Sequence, residues 1–116
     1  MALIYAVEDD KNILEIEMFA LKNSGYQVDG FECARDFYKK LDERQPDLVL
    51  LDIMLPDGNG VELCRELKGR YHIPILFLTA LGENQDVVEG LRAGGDDYLP
   101  KPYDLEVLVA RIEARL

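Results

Sequence analysis

Acidic, hydroxyl and amine side chains follow apolar runs of strand length in this sequence. Glu8, Asp9 and Asp10 follow residues 3–7, Asp52 follows 48–51, Thr79 follows 75–78, and Lys101 comes shortly after 98–99. Two carboxylates about 4 Å apart repel by roughly 4 kcal/mol at an effective dielectric constant of about 20, and one lysine cannot neutralise four acids. A divalent cation can, and ligands that are all oxygens suit Mg²⁺, with waters and a phosphate completing its coordination. If these side chains meet, they support Mg²⁺ and phosphate chemistry, with an aspartate as ligand or as nucleophile.

The apolar runs alternate with amphipathic segments of helix length, and this alternation decides where the polar side chains lie. The predicted strands are 3–7, 27–31, 48–51, 75–78 and 98–99, and the predicted helices are 11–24, 34–43, 59–68, 85–93 and 104–116. Five strand–helix repeats indicate a parallel sheet covered by helices on both faces, which is a doubly wound α/β sandwich of three layers. Ligands of such sheets bind outside the carboxyl ends of the strands. We therefore expect the acids, the threonine and the lysine at one crevice.

Composition limits the functions open to the chain. Its 116 residues suffice for one domain, and the net charge of −10 argues against direct binding to nucleic acid or to an anionic membrane. Cys33 and Cys64 lack metal-binding or redox spacing, and Cys64 lies on the apolar stripe of a predicted helix. A buried free thiol in a reducing cytoplasm is expected. No segment has the features of a signal peptide or of a membrane span.

Four motifs, in order along the chain, resemble the receiver domain of bacterial two-component response regulators. They are VEDD from residue 7, LVLLDIMLPDGNG from residue 48, LFLTA from residue 76 and DDYLPKPY from residue 96. Taken alone, Asp52 would be a turn or capping residue, Thr79 an ordinary strand end and Lys101 a solvated side chain. All four motifs at these separations cover essentially the whole chain and favour the receiver interpretation.

The resemblance implies how the acids act. Asp52 aligns with the phosphoacceptor, which would take a phosphoryl group from a sensor histidine kinase. Mg²⁺ would be bound by Asp9, Asp52 and the backbone carbonyl of Met54, with Glu8 acting through a metal-bound water. Asp10 is not expected to be a ligand. Such a domain is not an enzyme in the usual sense, although it catalyses its own Mg²⁺-dependent phosphorylation and dephosphorylation.

The resemblance also implies roles for three residues from later strand ends. Thr79 and Lys101 would each contact a phosphoryl oxygen, and Tyr98 would change rotamer together with Thr79 as a switch. Met54 and Leu81 stand two residues after the phosphoacceptor and the threonine, where receivers vary. Both are apolar and offer no group to orient an attacking water, so we expect slow dephosphorylation.

The family's fold adds two expectations about the backbone. The sheet would be flavodoxin-like, with five parallel strands in the order 2-1-3-4-5 and a cis peptide bond between Lys101 and Pro102. Pro100 departs from the family pattern because it removes a backbone donor from the last strand. This is tolerable if the strand lies at an edge of the sheet.

The segment from residue 96 resembles the subfamily of receivers that precede a winged-helix DNA-binding domain. Those receivers dimerise through the fourth helix, the fifth strand and the fifth helix. The candidate dimer face comprises Val87, Arg92, Asp97, Val107, Arg111 and Glu113. Asp97 and Arg111 match an inter-subunit ion pair of the subfamily, and Arg92 and Glu113 match another with the charges swapped. Val87 and Val107 replace a charged pair, and we expect both valines to be exposed.

We therefore expect residues 1–116 to be a receiver domain that forms a homodimer on phosphorylation. DNA would be contacted only by an output domain absent from this chain. Helix 85–93 is weakened by its interior Gly90 by about 1 kcal/mol, and low stability suits an element that moves on activation.

Three other functions stay open. The chain could be a stand-alone receiver that acts by protein–protein contact. A phosphotransferase of the haloacid dehalogenase kind would need a second acid two residues after its nucleophile, where this chain has Met54. A flavodoxin-like electron carrier would need a hydroxyl-rich phosphate loop after the first strand, but Glu8, Asp9 and Asp10 stand there and would repel phosphate.

Overall fold

The computed structural model describes residues 2–79 and 84–116, and it confirms the alternation of strands and helices. The strands are β1 (Leu3–Val7), β2 (Gln27–Phe31), β3 (Leu48–Asp52), β4 (Met54–Leu55), β5 (Gly58–Asn59), β6 (Ile75–Thr79) and β7 (Asp97–Pro100). The helices are α1 (Lys11–Asn23), α2 (Ala34–Glu43), α3 (Gly60–Arg70), α4 (Asn84–Arg92) and α5 (Leu105–Arg115). No helix in the described ranges is long and apolar enough to cross a membrane.

Five strands form one parallel sheet in the order β2-β1-β3-β6-β7. Without the two-residue strands β4 and β5, this is the predicted order 2-1-3-4-5, so the flavodoxin-like fold is confirmed. The strands at the centre are buried along their whole length, as their apolar sequences require. β7 lies at an edge, where the missing N–H of Pro100 is tolerated. The Lys101–Pro102 peptide bond is cis, as the resemblance implies.

Alternate residues of each strand face opposite sides of the sheet, which creates two apolar clusters. One cluster packs Phe37 of α2 and Leu67 of α3 against Tyr5, Val49 and Phe77. The other packs helices α1 and α5 against the opposite face, and its members include Leu14, Leu21, Ala6, Leu50, Leu78, Leu108 and Ile112. The sheet therefore holds its strand ends rigidly between two helical layers.

The connection after β3 contains a short hairpin that the sequence did not predict. β4 and β5 pair antiparallel across Pro56 and Asp57. The Asp57 carboxylate accepts hydrogen bonds from the Ala34 and Arg35 N–H groups, which lowers its pKa. It thereby caps α2, whose N-cap residue Cys33 makes no side-chain cap bond. This contact ties the loop that follows β3 to a second helix.

Close packing accounts for the glycine inside α4. A Cβ atom on Gly90 would lie 2.9 Å from the ring of Phe77 on β6. Only a residue without a side chain lets the helix approach the sheet this closely. The glycine that weakens α4 is thus required by its contact with β6.

Candidate functional site

Asp52 ends the central strand β3 and is almost fully buried, with 8% of its surface exposed. Its Oδ1 accepts a hydrogen bond from the Met54 N–H at 3.2 Å, and its Oδ2 accepts one from the Lys101 ammonium at 3.1 Å. The Gly60 N–H donates to the Ile53 carbonyl at 2.6 Å, which closes the loop beside the aspartate. The carboxylate is therefore fixed at the carboxyl edge of the sheet, where the crevice was predicted.

The three consecutive acids after β1 have three different environments. Glu8 is buried, with 1% of its surface exposed, and its Oε1 accepts from the Asp10 N–H at 3.2 Å. Asp9 is exposed. Asp10 is the N-cap of α1, because its Oδ1 accepts from the Asn12 and Ile13 N–H groups. Asp10 thus serves the helix and leaves the other two acids to the crevice.

Lys101 brings a positive charge to these acids from the segment that follows β7. Its ammonium lies 2.7 Å from Oε2 of Glu8 and 3.1 Å from Oδ2 of Asp52. Its side chain is 24% exposed. Burial by itself would lower the pKa of this lysine, but its hydrogen bonds and the two carboxylate charges raise it overall, so the ammonium stays charged. One ammonium thus bridges the ends of β1 and β3.

The buried position of Glu8 changes its ionisation. Burial raises the pKa of Glu8 to about 7, and the nearby charge of Asp52 adds to this effect. The hydrogen bond from Lys101 acts in the opposite direction. Lys101 therefore compensates only part of the negative charge that the strand ends bring together.

Three carboxylates form a group that could hold a cation. Ligand oxygens of Glu8, Asp9 and Asp52 lie within 4.8 Å of one another. All are hard oxygen donors, and together with one ammonium they leave excess negative charge, which is the donor chemistry that Mg²⁺ requires. The residues present therefore fit a divalent cation of this kind.

The other predicted site residues lie around this centre. Met54 is in β4, two residues after Asp52, and is 68% exposed. The backbone of Thr79 ends β6 beside β3, but its side chain lies outside the described part of the structure, as does Leu81 entirely. Tyr98 is 38% exposed on the edge strand β7.

The candidate dimer face lies on α4, β7 and α5. Within the chain, the Arg111 guanidinium donates to both carboxylate oxygens of Asp97, at 3.1 and 3.2 Å. Arg92, Val107 and Glu113 are exposed. The expectation that both valines are exposed was wrong for Val87, which is half-buried. On this turn of α4, the side chain that faces outward belongs to the neighbouring Val88.

A pair of residues near the site was missed by sequence reasoning. Glu17 of α1 is completely buried, and its Oε2 accepts a hydrogen bond from the Tyr103 hydroxyl. A signal was present, because position 17 is three residues after Leu14 and four before Leu21 and so shares their face of the helix. The buried face of α1 therefore includes a carboxyl group among its apolar residues.

Comparisons with known proteins agree with this geometry. A family model described as the response regulator receiver domain matches residues 4–113. A two-component response regulator from Clostridium difficile is 31% identical with a TM-score of 0.94, and the match covers 99% of this chain and 95% of that one. The receiver domain of a signal transduction histidine kinase from Syntrophus aciditrophicus is 34% identical with a TM-score of 0.91, covering 100% and 90%.

A third solved structure contains a chain about twice as long as the matched receiver segment. The response regulator DrrB of Thermotoga maritima, described as an OmpR/PhoB homologue, is 40% identical with a TM-score of 0.88, and the match covers 97% of this chain but 51% of that one. Since the family model spans nearly all of the chain and these relatives match it in fold and sequence, the chain belongs to the response regulator receiver domain family.

Proposed function

We propose that this receiver is a phosphorylation-activated switch in which Asp52 accepts the phosphoryl group from a sensor histidine kinase. The observation that carries the proposal is the meeting of Asp52, Glu8, Asp9 and Lys101 at one edge of the sheet. Their positions in sequence are far apart, so their convergence reflects the parallel topology. An alternative use of this crevice would have to explain why the fold buries two carboxylates beside a single ammonium.

The reaction uses Asp52 as the nucleophile. A carboxylate oxygen of Asp52 forms a bond to phosphorus, the bond between phosphorus and the histidine nitrogen of the kinase breaks, and that nitrogen keeps the electron pair. Lys101 then exchanges its contact with Asp52 for a phosphoryl oxygen, which stabilises the charge that develops during transfer. Thr79 is assigned a second phosphoryl oxygen, and Tyr98 responds to it as the switch aromatic. The Met54 N–H holds Oδ1 of Asp52 and so orients the attacking carboxylate.

The carboxylates of Asp9 and Asp52 and the backbone carbonyl of Met54 would hold Mg²⁺, and Glu8 would act through a bound water. When bound, the ion neutralises phosphate charge and orients the phosphoryl group. The positive charge of Lys101 balances part of the negative charge of these acids, and its ammonium lies 2.7 Å from Oε2 of Glu8. The lysine therefore keeps the two buried acids compatible with the folded state.

Mass spectrometry after incubation with acetyl phosphate and Mg²⁺ tests the phosphoacceptor. The native chain should gain the mass of one phosphoryl group, and Asp52→Ala should gain none. Asp42→Asn, an exposed acid on α2, is the matched control and should behave as the native chain does. A phosphoryl gain that persists in Asp52→Ala would place the acceptor elsewhere.

The output of the switch is homodimerisation through α4, β7 and α5, followed by transcription control through a winged-helix domain outside these residues. The similarity to the OmpR/PhoB homologue supports this assignment. Because Asp97 and Arg111 already bond within the chain, exchanging them between two subunits leaves the number of ion pairs unchanged. Most of the dimer's stability must then come from exposed apolar residues of this face, including Val88, Leu91 and Val107.

Sedimentation with and without beryllofluoride tests the dimer. Beryllofluoride should convert the monomer to a dimer, and Val107→Glu should weaken the dimer without changing beryllofluoride binding. Val109→Ala, a half-buried valine on the same helix, serves as a control for helix substitution. An unchanged monomer at high concentration would contradict the dimer and favour the alternative, a stand-alone receiver that acts by protein–protein contact.

A further inference from the structure

The core face of α1 carries a carboxyl group where an apolar residue would pack. Glu17 is 0% exposed and lies between Leu14 and Leu21, which belong to the apolar cluster under α1 and α5. Burying a carboxyl group is unfavourable unless it is hydrogen-bonded or protonated. The side chain therefore needs a partner to be stable in this position.

Tyr103 is that partner, and it comes from a distant part of the chain. Its hydroxyl donates a hydrogen bond to Oε2 of Glu17 across a sequence separation of 86 residues. Oε1 of Glu17 has no hydrogen-bond partner among the described residues. The ring of Tyr103 packs against the same apolar cluster. Burial, together with the bond to Glu17, raises the pKa of Tyr103, so its hydroxyl keeps the proton that it donates.

The segment that contains Tyr103 is poor in backbone hydrogen-bond donors. It connects the end of β7 at Pro100 to Asp104, the N-cap of α5. Pro100 and Pro102 have no N–H group, so neither can donate a backbone hydrogen bond. The same segment must deliver the Lys101 ammonium to within 2.7 Å of Glu8 and 3.1 Å of Asp52. Because Tyr103 is held only two residues after Lys101, it limits the positions that the Lys101 ammonium can reach.

We propose that Glu17 and Tyr103 are positioning residues, whose hydrogen bond anchors the segment after β7 to α1 and so places Lys101 against Asp52. This inference rests on the proposed role of Lys101 in phosphoryl transfer. Neither residue touches the phosphoryl group. The charges of Lys101 and Asp52 both influence the ionisation of Glu17, which is consistent with its closeness to the site.

Phosphorylation kinetics with acetyl phosphate at saturating Mg²⁺ test the proposal. Tyr103→Phe and Glu17→Leu should each lower the maximal rate by about 2- to 10-fold, the range in which one hydrogen bond shifts an equilibrium. The double variant should lose no more than either single variant. Glu17→Gln keeps an acceptor oxygen and should retain most of the rate, while the apparent KM for acetyl phosphate should change little.

Tyr26→Phe is the matched control, because Tyr26 packs against the same apolar cluster but precedes β2, at the opposite end of the sheet. It should leave the rate unchanged. Glu17→Leu removes a buried carboxyl but leaves the Tyr103 hydroxyl without its acceptor, so urea unfolding must show that the variant is fully folded under the assay conditions before its rate is compared. Native rates in both Tyr103→Phe and Glu17→Leu would overturn the inference.

Urea unfolding without Mg²⁺ gives a readout that does not depend on phosphorylation. Tyr103→Phe and Lys101→Met each change the unfolding equilibrium constant by some factor. If Tyr103 positions Lys101, the factor for the double variant should differ from the product of the two single factors by about twofold or more. Independent effects would overturn the positioning role. A native chain that is never phosphorylated on Asp52 would instead overturn the proposed function, and the two failures are therefore distinguishable.

Discussion

Replacing Glu17 by glutamine should change how the stability of the protein depends on pH. Burial raises the pKa of Glu17 from its usual 4.5 to about 7, although the hydrogen bond from Tyr103 lowers it in part. The side chain is 0% exposed, so solvent screening does little to weaken this effect. Glutamine keeps the shape and one acceptor oxygen but cannot ionise.

The expected magnitude follows from the difference between the folded and unfolded chains. Each pKa unit corresponds to about 1.4 kcal/mol, so ionising Glu17 in the folded chain costs about 3 kcal/mol above pH 7. A raised carboxyl pKa favours folding at low pH, and this contribution is lost as the pH climbs from 4.5 to about 7. The advantage of Glu17→Gln over the native chain should therefore grow by about 2 to 3 kcal/mol between pH 5 and pH 8.

Urea unfolding of both chains across this pH range, without Mg²⁺, measures the difference. Glu8 contributes its own pH dependence to each chain, and this cancels in the comparison. Glu15→Gln is the control, since it removes an equal charge from the same helix at an exposed position. Its curve should run parallel to that of the native chain. A Glu17→Gln difference that does not change with pH would refute the reasoning, because it would mean that Glu17 ionises freely and is not buried.

Three further outcomes are expected. Lys101→Met should tighten Mg²⁺ binding by about tenfold or more in titration calorimetry, while Lys101→Arg should not, because methionine removes a positive charge that lies against Glu8 and Asp52. Met54 exposes a thioether, which cannot orient an attacking water, so the half-life of the phosphorylated aspartate should be minutes or longer. Met54→Asn should shorten this half-life several-fold, and a native half-life of seconds would contradict the prediction. Gly60→Ala should lower the free energy of unfolding, measured in urea, by about 1–3 kcal/mol, because a Cβ atom there would clash with the backbone at the end of β3. Gly69→Ala is the control: its Cβ would meet nothing within 4 Å, and it should raise the free energy of unfolding by up to about 1 kcal/mol.

Features that depend on local sequence were predictable. Asn59 stands at the start of an amphipathic run and is a residue type that favours the N-cap, and its side chain caps α3 by accepting from the Val61 N–H. The convergence of Asp9, Asp52 and Lys101 followed from the rule that parallel strands bring their carboxyl ends to one edge. That rule needs only the strand–helix alternation, which the apolar pattern supplies.

Features that depend on the path of the chain were not predictable. Asp57 caps α2 from 23 residues away, and no spacing rule connects an aspartate in one loop to the start of an earlier helix. Glu17 is a mixed case, because its place on the core face of α1 could be predicted from its spacing to Leu14 and Leu21, but its hydrogen bond to a tyrosine from the far end of the sequence could not. The hydrogen bond from Lys101 to Glu8 could not be predicted either, because it depends on how the segment after β7 turns toward β1.

The edge position of Pro100 has a consequence for how two copies could meet. A four-residue strand that ends in a residue without an N–H is a poor template for strand addition, so β7 does not favour the joining of two sheets into one ten-stranded sheet. Any dimer on this face must be joined by side chains, chiefly the exposed apolar ones. Because the Asp97–Arg111 ion pair already exists within each chain, the affinity of the dimer should fall on truncation of Val88 or Val107 more than on a rise in ionic strength.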